Sequence, residues 1–143
     1  MKDYLEKRRA ELKKRGNKGF TLMEMLIVVA IIAVLIAIAI PIFTSQLENS
    51  REATDAANIR SAYAEVVAAA LTDPDNPHTA EIDKVQTQSD WSNTAVKSST
   101  IGGVTVSDIA SGPGKIKIEY VTTGTNAGKI TIDGKVAQTS TVS

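Results

Sequence analysis

Residues 20–40 read FTLMEMLIVVAIIAVLIAIAI, and the fold turns on this stretch. Glu24 is the only charge in it, and Thr21 the only other polar side chain. As a helix, these 21 residues rise about 31 Å at ~1.5 Å each, which matches a bilayer hydrocarbon core of roughly 30 Å. The run is apolar all round and lacks the one-sided stripe of a surface helix. A buried core helix of a soluble protein competes with a membrane span for such a run. The flanking charge favours the span.

Residues 1–19 carry eight Lys/Arg against Asp3, Glu6 and Glu11, a net +5. The chain as a whole balances 16 basic against 16 acidic residues, so residues 20–143 carry −5. Basic residues before an apolar span predict a cytoplasmic N-terminus, with the acidic remainder outside. An ordinary secretory signal with a cut after Ala37-Ile38-Ala39 also fits the A-x-A pattern. Its apolar core is usually only about 7–15 residues, however, shorter than this run. Ile40-Pro41-Ile42 would also make an awkward start to a mature chain.

Residues 18–41, KGFTLMEMLIVVAIIAVLIAIAIP, point to another processing route. This stretch resembles the N-terminus of type IV prepilins and of the related pseudopilins of type II secretion and DNA-uptake machines. The resemblance implies cleavage between Gly19 and Phe20 by a membrane prepilin peptidase, followed by N-methylation of Phe20. It also implies assembly through Glu24, whose carboxylate pairs with the Phe20 amine of a neighbouring subunit. The residue types suit those roles. Gly19 has no side chain to obstruct a tight protease cleft. A carboxylate costs up to roughly 3 kcal/mol at a bilayer centre, so an intramembrane Glu24 calls for a partner. Pro41 lacks an N–H and is expected to bend or loosen the helix. Ala33 stands where the family commonly carries a glycine, a departure from its pattern.

Helical periodicity resumes after Pro41. Ala56, Ile59, Tyr63, Val66 and Ala70 recur every three or four residues, one face of a helix. Glu48, Arg51, Glu52, Asp55 and Arg60 are expected mostly off that stripe, with Arg51–Asp55 as an i,i+4 surface pair. Asp73-Pro74-Asp75-Asn76-Pro77 ends the helix. A single helix over 20–72 would be ~80 Å long.

Residues 73–100 read as an irregular connection with a short helical turn near 81–85. Trp91, the only tryptophan, is expected to pin it to the head. The Ser/Thr density of 87–100 offers acceptors for O-linked sugars, and the chain has no N-x-S/T sequon. Lys115–Val121 and Lys129–Asp133 alternate polar and apolar residues and predict a hairpin around Thr122–Gly128. Ile101–Ile109 is the candidate third strand, and 137–143 are expected to fray. Ile116, Ile118, Tyr120, Ile130 and Ile132 should cover Tyr63, Val66 and Val67.

The expected fold class is therefore α+β: a long N-terminal helix on a small antiparallel sheet, the layout that the resemblance also implies. The expected segments are a leader (1–19), a membrane and assembly helix (20–40), its amphipathic continuation (41–72), a connection (73–100) and a sheet (101–143).

Without cysteine the chain forms no disulfide, thiolate zinc site or cysteine nucleophile. Against the family's frequent C-terminal disulfide, this favours a Gram-positive or otherwise divergent host. The single histidine, His78, argues against a hydrolase triad. No cofactor is expected. Asp73, Asp75 and Asn76 offer a calcium ion few of the roughly 6–8 oxygens it takes. A net charge of −5 beyond the leader does not support broad DNA binding, although Lys115, Lys117, Lys129 and Lys135 are candidates for a local basic face.

An enzyme is not expected. The expected function is a pilin subunit. The partners implied by the resemblance are other copies and related pilins in a helical filament, the prepilin peptidase, and an assembly ATPase with its inner-membrane platform. Membrane lipid surrounds the helix before assembly. The alternatives are a pseudopilin of a secretion or competence system and a membrane-anchored binding module that never polymerises.

Overall fold

A computed structural model describes residues 1–16 and 21–137. The chain divides into two compact units, Met1–Phe43 and Thr44–Ser143. The first holds α1 (Lys2–Gly16) and the start of α2 (Leu22–Thr72). Thr21 begins α2 as its N-cap. Its hydroxyl oxygen accepts the Glu24 N–H at 3.3 Å, and Glu24 Oε2 accepts the Thr21 N–H at 2.8 Å. This reciprocal pair is a capping box, which satisfies two donors that the first helical turn leaves open. From Leu22 to Phe43 every large apolar side chain is exposed. α2 runs through Pro41 without interruption in its helical assignment.

The second unit has a core of its own. α2 contributes Ala56, Ile59, Ala62, Val66 and Ala70, all buried. The last four pack with Ile116, Ile118 and Tyr120 of β4 (Gly114–Val121) and with Ile130 and Ile132 of β5 (Lys129–Ile132), while Tyr63 and Val67 lie half-buried against them. The expected core pairing of helix and hairpin is thus present. Trp91 is buried as well, and its Nε1–H donates to the Ile109 carbonyl at 2.9 Å, so it does pin the connection down.

The sheet differs from expectation in its third strand. Its order is β1-β4-β5-β6, antiparallel throughout, with β1 at His78–Lys84 and β6 at Lys135–Val136. Residues 78–84, expected to be irregular with a helical turn near 81–85, instead form an edge strand, with Ile82 opposite Ile116. Two carbonyls of the preceding turn fix its start: Tyr120 Oη donates to the Pro74 carbonyl at 3.1 Å, and His78 Nε2 lies 2.7 Å from the Asp73 carbonyl.

The 101–109 stretch does not join that sheet. It folds into a separate two-stranded ribbon, β2 (Thr100–Ile101) with β3 (Val104–Thr105), followed by a 3₁₀ turn at Val106–Asp108. Gly102-Gly103 break the run, with φ of +57° and +82°. β5 and β6 are joined by Asp133-Gly134, φ +50° and +77°, a tight turn whose twist suits a two-residue hairpin. Ala137, expected to fray, is buried, and 138–143 lie outside the described residues.

Gly102 is held to glycine twice over. Its φ is +57°, and a Cβ there would sit 2.6 Å from Cζ of Tyr63. Gly102→Ala is therefore expected to cost about 2 kcal/mol through backbone strain and displacement of the Tyr63 ring. A thermal melt should show a fall of roughly 10 °C.

Candidate functional site

Two parts of α2 carry the chemistry. The first is its N-terminus. Gly19 and Phe20, the expected cleavage and methylation residues, lie outside the described residues. Glu24 is described. Its capping bond holds the carboxylate at the first turn of α2, where the positive end of the helix dipole favours an anion. Among the described residues Oε2 is engaged by the Thr21 N–H, while no partner is present for Oε1. Among the described residues, the oxygen that the cap does not use is thus an acceptor at the head of the exposed apolar stretch 22–43.

The second part corrects a sequence expectation. Glu48, Glu52 and Asp55 are not surface residues; they are 2%, 0% and 0% exposed. Their spacing of four and three continues through Ile59, Ala62, Val66 and Ala70, so one helix face is acidic in its first half and apolar in its second. The carboxylates hold the chain that follows β1. Asp55 accepts the Val85 and Gln86 N–H groups at 2.8 and 2.9 Å. Glu48 accepts the Thr87 and Gln88 N–H groups at 2.7 and 2.8 Å and the Thr87 hydroxyl at 2.8 Å. Glu52 accepts the Ser92 and Asn93 N–H groups at 2.9 and 2.8 Å and the Ser92 hydroxyl at 2.6 Å. An irregular loop has no ladder for its N–H groups, and the three carboxylates take the place of one. Arg51 does not pair with Asp55. Its Nη1 reaches Glu48 Oε2 at 3.4 Å and Thr87 Oγ1 at 3.2 Å. Gln86 is the polar exception among the described residues: it is 1% exposed, and neither atom of its side-chain amide finds a partner.

Burial pushes the Glu48 carboxyl up, but hydrogen bonds from the Gln88 N–H, from Thr87 and from Arg51 outweigh it, and the pKa falls below the ordinary 4.5. Because the folded value is the lower one, the stabilisation is complete above 4.5 and is lost as pH falls through the folded pKa. The Thr87 and Gln88 amide proton shifts should hold constant down to about pH 4.5 and move only below it, and Glu48→Gln should abolish that movement. A titration centred above that pH would contradict the assignment. For Lys84, burial pushes the ammonium below its usual 10.5, and the charges of Asp133 and Asp55 offset part of this. Its Nζ donates to the Ala110 and Ser111 carbonyls at 2.6 and 3.2 Å.

The remaining candidates do not gather into sites. Asn76 Nδ2 donates to both Asp73 oxygens, at 3.1 and 2.9 Å, so that carboxylate is engaged within its own turn. Among the described residues no group of three His, Asp or Glu is placed to hold a metal. Lys115 lies 3.9 Å from both Glu81 and Asp83, and Lys117 lies 3.0 Å from Glu119, so acidic side chains interleave the candidate basic face.

Comparison with known proteins is consistent with the N-terminal geometry. Residues 14–40 match the family described as the prokaryotic N-terminal methylation motif. The chain is 47% identical over 47 residues to the type IV major pilin protein PilA of Myxococcus xanthus, covering 33% of this chain and 21% of that one. It is 48% identical over 50 residues to the type IV narrow pilus major component PilA5 of Thermus thermophilus, covering 33% of this chain and 43% of that one. This chain thus spans less than half the length of either relative. No solved structure matches it significantly. The chain carries the type IV prepilin motif at residues 14–40, its N-terminal third is similar to type IV major pilins, and its architecture is the pilin-like α+β arrangement of a long helix and an antiparallel sheet.

Proposed function

We propose that this protein is a structural subunit, a major or minor pilin, of a type IV pilus. It inserts with its N-terminus in the cytoplasm and residues 20–40 across the membrane. A prepilin peptidase cuts between Gly19 and Phe20 and methylates the Phe20 amine. An assembly ATPase and its inner-membrane platform then move the subunit from lipid into a filament of its own copies and related pilins. The filament serves surface functions such as adhesion and twitching motility.

The observation that carries this reading is the start of α2. Among the described residues, a capped carboxylate with one oxygen unpartnered stands at the head of α2, whose large apolar side chains from Leu22 to Phe43 are all exposed. Lipid tails are as apolar as leucine, so moving that surface from bilayer to filament gains little hydrophobic energy. The charge of Glu24 separates the two environments. In lipid it is costly, and in the filament it pairs with the methylated amine of a neighbouring Phe20. Bending at Pro41 lets neighbouring helices adjust as they pack.

Shearing the surface of native cells and identifying the released filaments by mass spectrometry tests the proposal. This chain should be a filament component. Its recovery only in membranes, with no filament, would favour a pseudopilin or a tethered binding module.

A further inference from the structure

The chain between β1 and Trp91 is tied to α2 through carboxylates. Asp55 takes the Val85 and Gln86 N–H groups, and Glu48 takes those of Thr87 and Gln88 together with the Thr87 hydroxyl. The other ties are the Ser111 hydroxyl on the Ser89 carbonyl at 2.5 Å, Arg51 on Thr87, and the exposed Lys97–Asp90 pair at 3.7 Å. The side chains of this segment add little packing. Val85, Thr87, Gln88, Ser89 and Asp90 are exposed. Gln86 alone is buried, and among the described residues its amide has no partner. A buried amide without partners is destabilising, and contact with water would relieve it. Two opposed effects therefore set the position of this segment: charged acceptors hold it down, and Gln86 favours its lifting.

The flanks are anchored differently. Lys84 ends β1, and its Nζ bonds to the Ala110 and Ser111 carbonyls. Trp91 sits in the core with its Nε1–H on the Ile109 carbonyl. Lifting 85–90 between these two points takes no side chain out of the apolar core. We propose that residues 85–90 form an acid-released strap: protonation of Glu48 and Asp55 frees them from α2 while the head stays folded.

The surrounding charges set the direction. Arg51 faces Glu48, and Lys84, with Asp133 also near it, faces Asp55. Each cation favours the ionised carboxylate, so the strap is closed near neutral pH. Bonds to an ionised acceptor are roughly twice as strong as those to a neutral one, so protonation weakens the hold. The Glu48 pKa is below its ordinary 4.5, so its share of the closure is complete above that value and is lost as pH falls through the folded pKa. Opening bares the Glu48–Asp55 face of α2.

Hydrogen exchange of the full chain in detergent micelles tests this, read by mass spectrometry as protection relative to an unstructured chain at the same pH. From about pH 6.5 to about pH 2.5, protection of 85–90 should fall by about tenfold or more, while that of β4 stays within about twofold. Glu48→Gln combined with Asp55→Asn should open the strap already at about pH 6.5. Gln86→Met removes the orphaned amide and should raise the protection of 85–90 at acid pH by about tenfold.

Loss of protection in 85–90 and β4 at one and the same pH would overturn the proposal, because acid would then unfold the head as a whole. So would a segment already unprotected at about pH 6.5, protection that persists through about pH 2.5, or no gain from Gln86→Met. A double variant that loses β4 protection as well is unfolded, and the parent's own pH profile then decides.

Discussion

Replacing Glu52 with alanine is expected to lower the unfolding temperature of the head by roughly 10–20 °C, the counterpart of a loss of about 2–4 kcal/mol. Burying an ion is not stabilising in itself, and a well-packed apolar substitute can be harmless. Here, however, the partners are the Ser92 and Asn93 N–H groups and the Ser92 hydroxyl. Removing Glu52 takes the acceptor from the Ser92 and Asn93 N–H groups and leaves the Ser92 hydroxyl only Asn49 Oδ1, at 3.3 Å. Loss of hydrogen bonds to a charged group and an unfilled space then act together. Trp91 is next in the chain to Ser92, so its fluorescence reports the same melting. Glu65→Ala, at an exposed position on the same helix, is the control and should stay within about 0.5 kcal/mol. If both variants melt together near the parent temperature, the carboxylates do not hold the loop.

Glu24→Ala is expected to remove surface filaments while leaving leader cleavage intact. Unpaired in lipid, a carboxylate costs up to roughly 3 kcal/mol, and the proposed pairing in a filament would relieve that cost. Alanine removes the difference between the two states. A per-subunit loss of about 2–3 kcal/mol is a roughly 30- to 150-fold weaker association, compounded along the filament. Glu24→Gln keeps a side-chain carbonyl that can accept the Thr21 N–H, yet carries no charge. It should fail nearly as badly if the charge pair decides assembly, and succeed if the cap does. Counting sheared filaments and immunoblotting the processed chain separates the two outcomes. Normal piliation by Glu24→Ala cells would refute the pairing.

The sheet hairpin was legible because Lys115–Val121 and Lys129–Ile132 alternate strictly; burial follows the alternation in β4, whereas in β5 Thr131 is buried along with Ile130 and Ile132. The edge strand His78–Lys84 was hidden by its charges: it pairs on one side only, and edge strands carry charged side chains on their open faces. Ile101–Ile109 read as a strand from its β-branched residues, but the Gly102-Gly103 turn cuts it short. The acidic ladder is not legible from residue type alone, because carboxylates ordinarily stay in solvent. Their phase pointed the other way, since Glu48, Glu52 and Asp55 stand in register with Ile59 and Val66. The capping box was present in the sequence as Thr21-Leu22-Met23-Glu24, a T-x-x-E signature ahead of an apolar run. The cap and the proposed filament pairing would use the same Glu24 carboxylate.

The most direct test of the central claim is the N-terminus and intact mass of the protein from its native cell. Prepilin processing predicts a chain that begins at Phe20 and is one methyl group heavier than its sequence. A chain beginning at Ile40, or one still carrying Met1 and the whole leader, would contradict the account.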